Sequence, residues 1–257
     1  MKSIKAFAVV NLFLFLLNSC APKKDVVYFG GVDTLQVAKA NLSYAPVYKA
    51  DDQLAITVSA LDNAAALPFN LPVASFNTDG KSAVGTQQLQ TYLIAKDGSI
   101  NFPQLGTLQM AGLTRLQAID LFNEKLAPFL VDPVVNITLL NFKVTVLGEV
   151  KKPGTYPVKT ERISVIEALG KAGDLTIHGT RQNALLIRET AEGKQYERID
   201  LTASDLFSSP YYYMQQNDVL YIEPNKPKVN SSATSATTGV WISITSLLIT
   251  IITLIVK

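Results

Sequence analysis

Residues 146–156 read Val146-Leu147-Gly148-Glu149-Val150-Lys151-Lys152-Pro153-Gly154-Thr155-Tyr156. Val144 and Val146 alternate into Gly148-Glu149-Val150. Lys151-Lys152-Pro153-Gly154 supplies turn residues, and the chain returns through Tyr156 and Val158 as a second strand. Just downstream, Ser164 and Glu167 make a capping-box pair ahead of Val165, Ile166 and Leu169, and Ala172-Gly173 ends that helix with a glycine C-cap. Strands at Ala184 to Arg188 and Val219 to Ile222 complete a small sheet round one helix, which is a β-grasp-like pattern.

Upstream of Lys143 the pattern is a different α/β unit. Leu54, Ile56 and Val58 alternate with Ala55 and Thr57, so a strand with one buried face is expected there. Residues 62–90 are rich in Ala, Asn, Ser, Gln, Gly and Pro without a sustained period, and are expected to form a long functional or mobile loop. Tyr92 to Ile94, Asp97-Gly98 and Ser99 to Phe102 read as a hairpin. Thr114 and Gln117 cap a helix carrying Leu116, Ile119, Phe122 and Leu126, which Pro128 stops, and Val135, Ile137 and Leu139 make another strand. The fold class is α+β, with units at 44–141 and 142–223 and a linker at 224–238.

The two ends differ from this middle. Lys2 and Lys5 precede a twelve-residue apolar run, Ala6 to Leu17, too short to span a bilayer comfortably, so residues 1–19 read as an export signal. Leu17-Asn18-Ser19-Cys20 follows, and Cys20 is the only thiol of the 257 residues. A lipid on Cys20 would leave no free thiol in an oxidising compartment, with residues 20–43 as the lipidated tether. At the other end, Val240 to Val256 is uncharged and would be about 25 Å long as a helix, so 239–257 is expected to cross a membrane. At 100° per residue Ser243, Ser246, Thr250 and Thr253 fall within an arc of about 80°, whereas Trp241 and Leu248 point the opposite way, toward lipid. Two readings fit the stripe. It faces water, or its hydroxyls bond their own backbone carbonyls and serve close helix packing.

Composition narrows the function. Hydrophobic residues are 48% and charged residues 17%, which excludes a disordered or collagenous chain. Removing a leader that holds Lys2 and Lys5 takes 23 basic side chains to 21, equal to the 21 acidic ones, so charge argues for no nucleic-acid partner. One Cys and one His exclude a disulfide scaffold and Cys-rich zinc sites. There is no phosphate loop, no metal-ligand spacing and no catalytic set; His178 reads as a loop residue, Asp52 as a turn support, and Tyr211-Tyr212-Tyr213 as packing, a subunit contact or a sugar-stacking surface. No enzyme activity, cofactor or metal is expected.

The order of these motifs resembles a known family. Residues 146–156, the capped helix after them and Gln216-Asn217-Asp218-Val219-Leu220-Tyr221-Ile222 look like the soluble-ligand-binding β-grasp (SLBB) domain of bacterial polysaccharide biosynthesis/export outer-membrane lipoproteins. Residues 52–58 and Asp97-Gly98-Ser99-Ile100-Asn101-Phe102-Pro103-Gln104-Leu105-Gly106 are similar to the polysaccharide export domain that precedes it, and residues 17–20 resemble the lipobox. Two departures stand out: Ala50-Asp51 replaces the frequent Pro-Gly, and one β-grasp unit fits where long members have two or more.

The resemblance implies a non-enzymatic capsule or exopolysaccharide translocon. It implies a homo-oligomeric ring, an octamer, that takes polysaccharide from the periplasm and works with an inner-membrane co-polymerase or chain-length regulator. In such a ring Ser243, Ser246, Thr250 and Thr253 would line a helical pore through the outer membrane, with the C-terminus reaching the exterior and membrane lipid round Trp241 and Leu248. The 148–156 hairpin, through Glu149 and Lys152, is the candidate subunit interface, because a projecting turn is not needed for a monomer's core; a merely stable turn is the other reading. The competing function is a monomeric periplasmic glycan-binding lipoprotein with a C-terminal tail anchor.

Overall fold

The computed structural model describes residues 27–29, 44–76, 85–190, 192–233, 241, 243, 244, 246–248, 250 and 251. The alternation in β1 (Gln53–Ser59) turns Leu54, Ile56 and Val58 inward, each almost fully buried. The segment expected to be a loop instead holds a short helix, Asn63–Ala66, a 3-10 turn, Leu67–Phe69, and a hairpin of β2 (Pro72–Phe76) and β3 (Gly85–Leu89). Its periodicity is weak because each piece is short and the hairpin stands as its own two-stranded sheet. Helping to seat it, the Asn70 side chain accepts from Val58 N at 2.9 Å and donates to the Val58 and Ala66 carbonyls.

β4 (Thr91–Leu93) pairs with β1, but β5 (Ser99–Phe102) pairs with β6 (Gly106–Gln109). The Asp97-Gly98 turn exists, with Gly98 at φ +85°, yet it joins strands of different sheets. A second tight turn, with Gln104 at φ +62° and Gly106 at +71°, sends the chain into β6, which the sequence reading omitted. Helix Arg115–Leu126 has both arms of the Thr114–Gln117 capping box. It lays Ala118, Phe122 and Leu126 on the sheet, where Phe122 meets Phe102 edge-on at 4.8 Å. β7 (Val134–Leu139) completes the antiparallel order β4–β1–β7.

The second core runs from Phe142 to Ile222. β8 (Lys143–Gly148) and β9 (Gly154–Pro157) form the hairpin of the opening stretch, and β10 (Ile163–Ser164) leads into helix Val165–Lys171, capped by Ser164 and Glu167. β11 (Ala184–Thr190), β12 (Gly193–Ile199), β13 (Tyr213–Met214) and β14 (Val219–Ile222) follow. The large sheet has the order β12–β11–β14–β8–β9, in which β14 and β8 are parallel and the other pairs antiparallel. Gly148, at φ +87°, closes β8 so tightly that a Cβ there would lie 2.0 Å from the Ile222 carbonyl oxygen, so its lack of a side chain serves close strand approach.

Helix Lys226–Ala233 occupies part of the expected linker. Residues 241, 243, 244, 246–248, 250 and 251 are helical and exposed. Among the described residues no helix is long and apolar enough to cross a membrane; the remainder of 239–257 lies outside them, as do the export signal and Cys20.

Candidate functional site

The two cores meet at a cleft of about 660 Å3, walled by residues 44–48, the start of helix Arg115–Leu126, β7, Phe142 and residues 159–162. Each wall has a local cause. The 44–48 segment is fastened to the first unit by Tyr48 N donating to Leu113 O and Gly112 N donating to Tyr48 O, both at 2.9 Å. The Thr114 cap places Arg115 in the first helical turn, where its guanidinium reaches Glu161 of the second unit at 2.5 Å.

Beside the cleft the units are stitched together. Tyr44 stacks on Tyr213 at 5.0 Å with an interplanar angle of 19°, and Arg162 lies over the Tyr213 ring at 4.9 Å. Asn141 joins both sides: its side chain accepts from Gln53 N and donates to Asp51 O, each at 2.9 Å, and its carbonyl accepts from Gln216 Nε2 at 2.8 Å. Lys49 Nζ donates to Gln215 Oε1 at 2.7 Å. Beneath lies the buried Arg188–Asp218 pair, at 2.7 Å for Nη2 to Oδ2, whose carboxylate also accepts from Gln215 N. Such a pair needs its extra hydrogen bonds to offset desolvation.

Burial also sets the protonation of this joint. It pushes the Tyr44 and Tyr48 phenols up to about 12, holds the Lys49 ammonium below its ordinary value, and pushes Asp52 up to about 6. Asp52 Oδ2 accepts from Lys49 N at 2.9 Å, so the carboxyl supports the 49–52 turn, while its Oδ1 is buried without a partner. These contacts couple the two units. Among the described residues no group of His, Cys, Asp and Glu could hold a metal ion.

The residues expected to be functional are scattered. Cys20 and Thr253 lie outside the described residues. Ser243, Ser246 and Thr250 stand on exposed helix with Trp241 and Leu248, and Ser246 Oγ donates to Ser243 O at 2.9 Å while Thr250 Oγ1 donates to Ser246 O at 2.8 Å. The backbone-bonded alternative therefore describes these two hydroxyls.

The 148–156 hairpin does not project freely. Val150 is buried, Lys151 N and Lys152 N donate to the Asp174 and Ala172 carbonyls, and the Glu149 carboxylate accepts from Thr176 Oγ1 at 2.7 Å. Glu149 is thus held within its own unit, and Lys152 is the exposed member of the pair. His178 lies exposed in a turn. In the tyrosine run Tyr213 joins the units, Tyr212 packs on Phe207, and the Tyr211 hydroxyl accepts from Gln195 at 2.7 Å, which is packing.

Sequence reasoning missed the joint; the signal present was Asn141, a polar residue between two strand patterns. Within residues 20–43, expected only as a tether, residues 28–29 dock on the second unit. The Tyr28 hydroxyl donates to Asp174, Arg181 covers the Tyr28 ring at 5.3 Å, and Phe29 stacks on Phe207 at 5.0 Å.

Comparison with known proteins matches these two units. A family model described as polysaccharide biosynthesis/export protein covers residues 43–140, and one for the SLBB domain covers residues 143–199. Over 115 residues the chain is 31% identical to the EPS I polysaccharide export outer membrane protein EpsA of Ralstonia solanacearum, and 32% identical to the protein of that name from Ralstonia nicotianae. Each alignment covers 44% of this chain and 30% of the relative, so the match spans under a third of the length of these curated relatives.

Proposed function

Because the chain belongs to the polysaccharide biosynthesis/export family, we propose that it acts at the outer membrane as an oligomeric translocon lipoprotein that exports capsular or extracellular polysaccharide and performs no covalent chemistry on it. The observation that carries this reading is the succession of an export unit and an SLBB unit in one chain, similar in part to curated export proteins. In this reading Cys20 bears the lipid and the C-terminal helices of the ring, with Ser243, Ser246, Thr250 and Thr253 inward, form the pore. An inner-membrane chain-length regulator delivers the polymer.

The placement of the chain ends supports an orientation. Cys20 is eight residues before Tyr28, at most about 28 Å of extended chain, and Tyr28 docks on the second unit. The C-terminal segment also leaves from that unit, after β14. Both anchors therefore hold the SLBB unit near the membrane and leave the export unit deeper in the periplasm. Of the two candidate interface charges, Lys152 rather than Glu149 is open to a neighbouring copy.

The monomeric glycan-binding lipoprotein keeps one observation in its favour, the bonding of Ser246 and Thr250 to their own helix. Mass measurement of the intact lipoprotein in mild detergent separates the two. The translocon reading expects a closed multimer whose loss, by deletion of the gene, stops polysaccharide from reaching the cell surface. A detergent monomer with normal surface polysaccharide in the deletion strain would remove it.

A further inference from the structure

Among the described residues, one edge of the three-stranded sheet is a long strand with no neighbour. β7 is its terminal strand. Leu140 N donates to Gln53 O at 2.8 Å, which makes 53 and 140 a hydrogen-bonded pair. With the register Leu54↔Leu139, Ile56↔Ile137 and Val58↔Val135, antiparallel alternation then directs the backbone N–H and C=O groups of Val135, Ile137 and Leu139 away from β1. Among the described residues no backbone group pairs with them.

The strand has none of the usual protection. Val134-Val135-Asn136-Ile137-Thr138-Leu139 contains no charge, no proline and no glycine, and is rich in β-branched residues, which is the composition of a strand that pairs. It also carries Val134 at 64% exposure, and residues 136–139 form one wall of the interdomain cleft.

We propose that the outer edge of β7 is a strand-pairing site that takes the outer edge of β12 from a second copy of this chain. Three observations select β12. It is the other long terminal strand, seven residues against six. Its charge complements the cleft: Arg115, Lys159 and Arg162 outnumber Glu161 beside β7, whereas Glu189, Glu192, Glu197, Asp200 and Asp205 outnumber Lys194 and Arg198 around β12. Finally, the two edges lie on different units of one chain, so their pairing is head-to-tail and repeats from copy to copy, the contact type that closes a ring. A β7-to-β7 contact would be self-complementary and would stop at a dimer. The proposal rests on the ring reading above and names the interface that builds the ring.

The test uses the full-length lipoprotein in mild detergent, with the parent protein and its lone Cys20 as baseline. Thr138→Cys is combined with Lys194→Cys or with Tyr196→Cys in the same chain and treated with a short bismaleimide; all three positions are exposed. A covalent ladder extending beyond the dimer is expected from at least one double variant and from neither parent nor single variants. In parallel, Asn136→Asp with Thr138→Asp should lower the multimer fraction by at least about tenfold, because carboxylates on this edge would face the acidic surroundings of β12. Leu93→Asp, on the outer strand β4, should leave assembly intact.

Dimers from Thr138→Cys alone would replace the interface with β7 against β7. Multimers that neither cross-link through these pairs nor respond to the edge aspartates would refute this interface while leaving the ring. A parent that is monomeric by mass would overturn the ring and the interface together.

Discussion

Asp52 is 1% exposed, and half of its carboxyl has no partner, so the fold holds it protonated beyond the ordinary carboxylate range. Between its ordinary value of 3.8 and about 6 the native chain keeps a proton that the unfolded chain releases. Stability therefore falls as pH rises through that window, by about 3 kcal/mol, and stays lower above it. Asp52→Asn, which keeps an oxygen for Lys49 N, should flatten that slope in urea unfolding measured from pH 4 to 6.5; an unchanged slope would place the titration elsewhere. Its neighbour explains a departure from the family pattern. Asp51 has φ +67°, the left-handed region where glycine is favoured, and it occupies the place of the frequent Pro-Gly glycine. Asp51→Gly should be neutral or mildly stabilising, whereas Asp51→Val should cost about 1–2 kcal/mol, read from urea midpoints.

Among elements, the two capping boxes have the same geometry in different surroundings. The Thr114–Gln117 box is exposed, while Ser164 is buried and its hydroxyl and backbone N–H both donate to Glu167 Oε2. Thr114→Ala should cost about 1 kcal/mol. Ser164→Ala should cost more, because the hydroxyl it removes is buried and its bond to Glu167 Oε2 forms away from water; equal costs would show that burial adds nothing to the cap. The C-terminal segment yields a prediction for the proposed ring. In one chain Trp241, Ser243, Ser246, Leu248 and Thr250 are all exposed, so exposure alone does not sort them. In the assembled particle, cysteines at 243, 246, 250 and 253 should react with a membrane-impermeant thiol reagent while those at 241 and 248 stay protected. Reactivity without that helical period would leave the segment as a tail anchor.

For the whole molecule, the joint between the units decides whether they move as one. Tyr213 lies between the Tyr44 ring and the Arg162 guanidinium, and Asn141 and Gln216 bind across the same seam. Tyr213→Ala should remove on the order of 1–2 kcal/mol of inter-unit contact and separate a single unfolding transition into two. A single, merely shifted transition would mean that the remaining contacts suffice. Coupling of this kind is what a ring needs if the edge of one unit and the edge of the other are to meet successive neighbours at a constant spacing.

Local physics explains what could be read from the chain in order. The alternation of β1, both capping boxes and strands β8, β9, β11 and β14 follow from apolar period and cap residues within a dozen positions of one another, and together they placed the family. What stayed hidden depends on positions far apart. β12 has no apolar alternation because its side chains, Gly193 to Arg198, stand mostly in solvent, and β6 depends on a turn whose non-glycine residue Gln104 adopts a positive φ. Asn141 means nothing until Asp51, Gln53 and Gln216 surround it. The sequence alone determined two α/β units, a single thiol near the start and an apolar hydroxyl-striped end. Only the tertiary structure decided that the Glu149 carboxylate is bonded to Thr176, that residues 28–29 lie on the second unit, and that among the described residues no strand pairs with the outer edge of β7, because sheet order is set by which distant strands bury each other's faces.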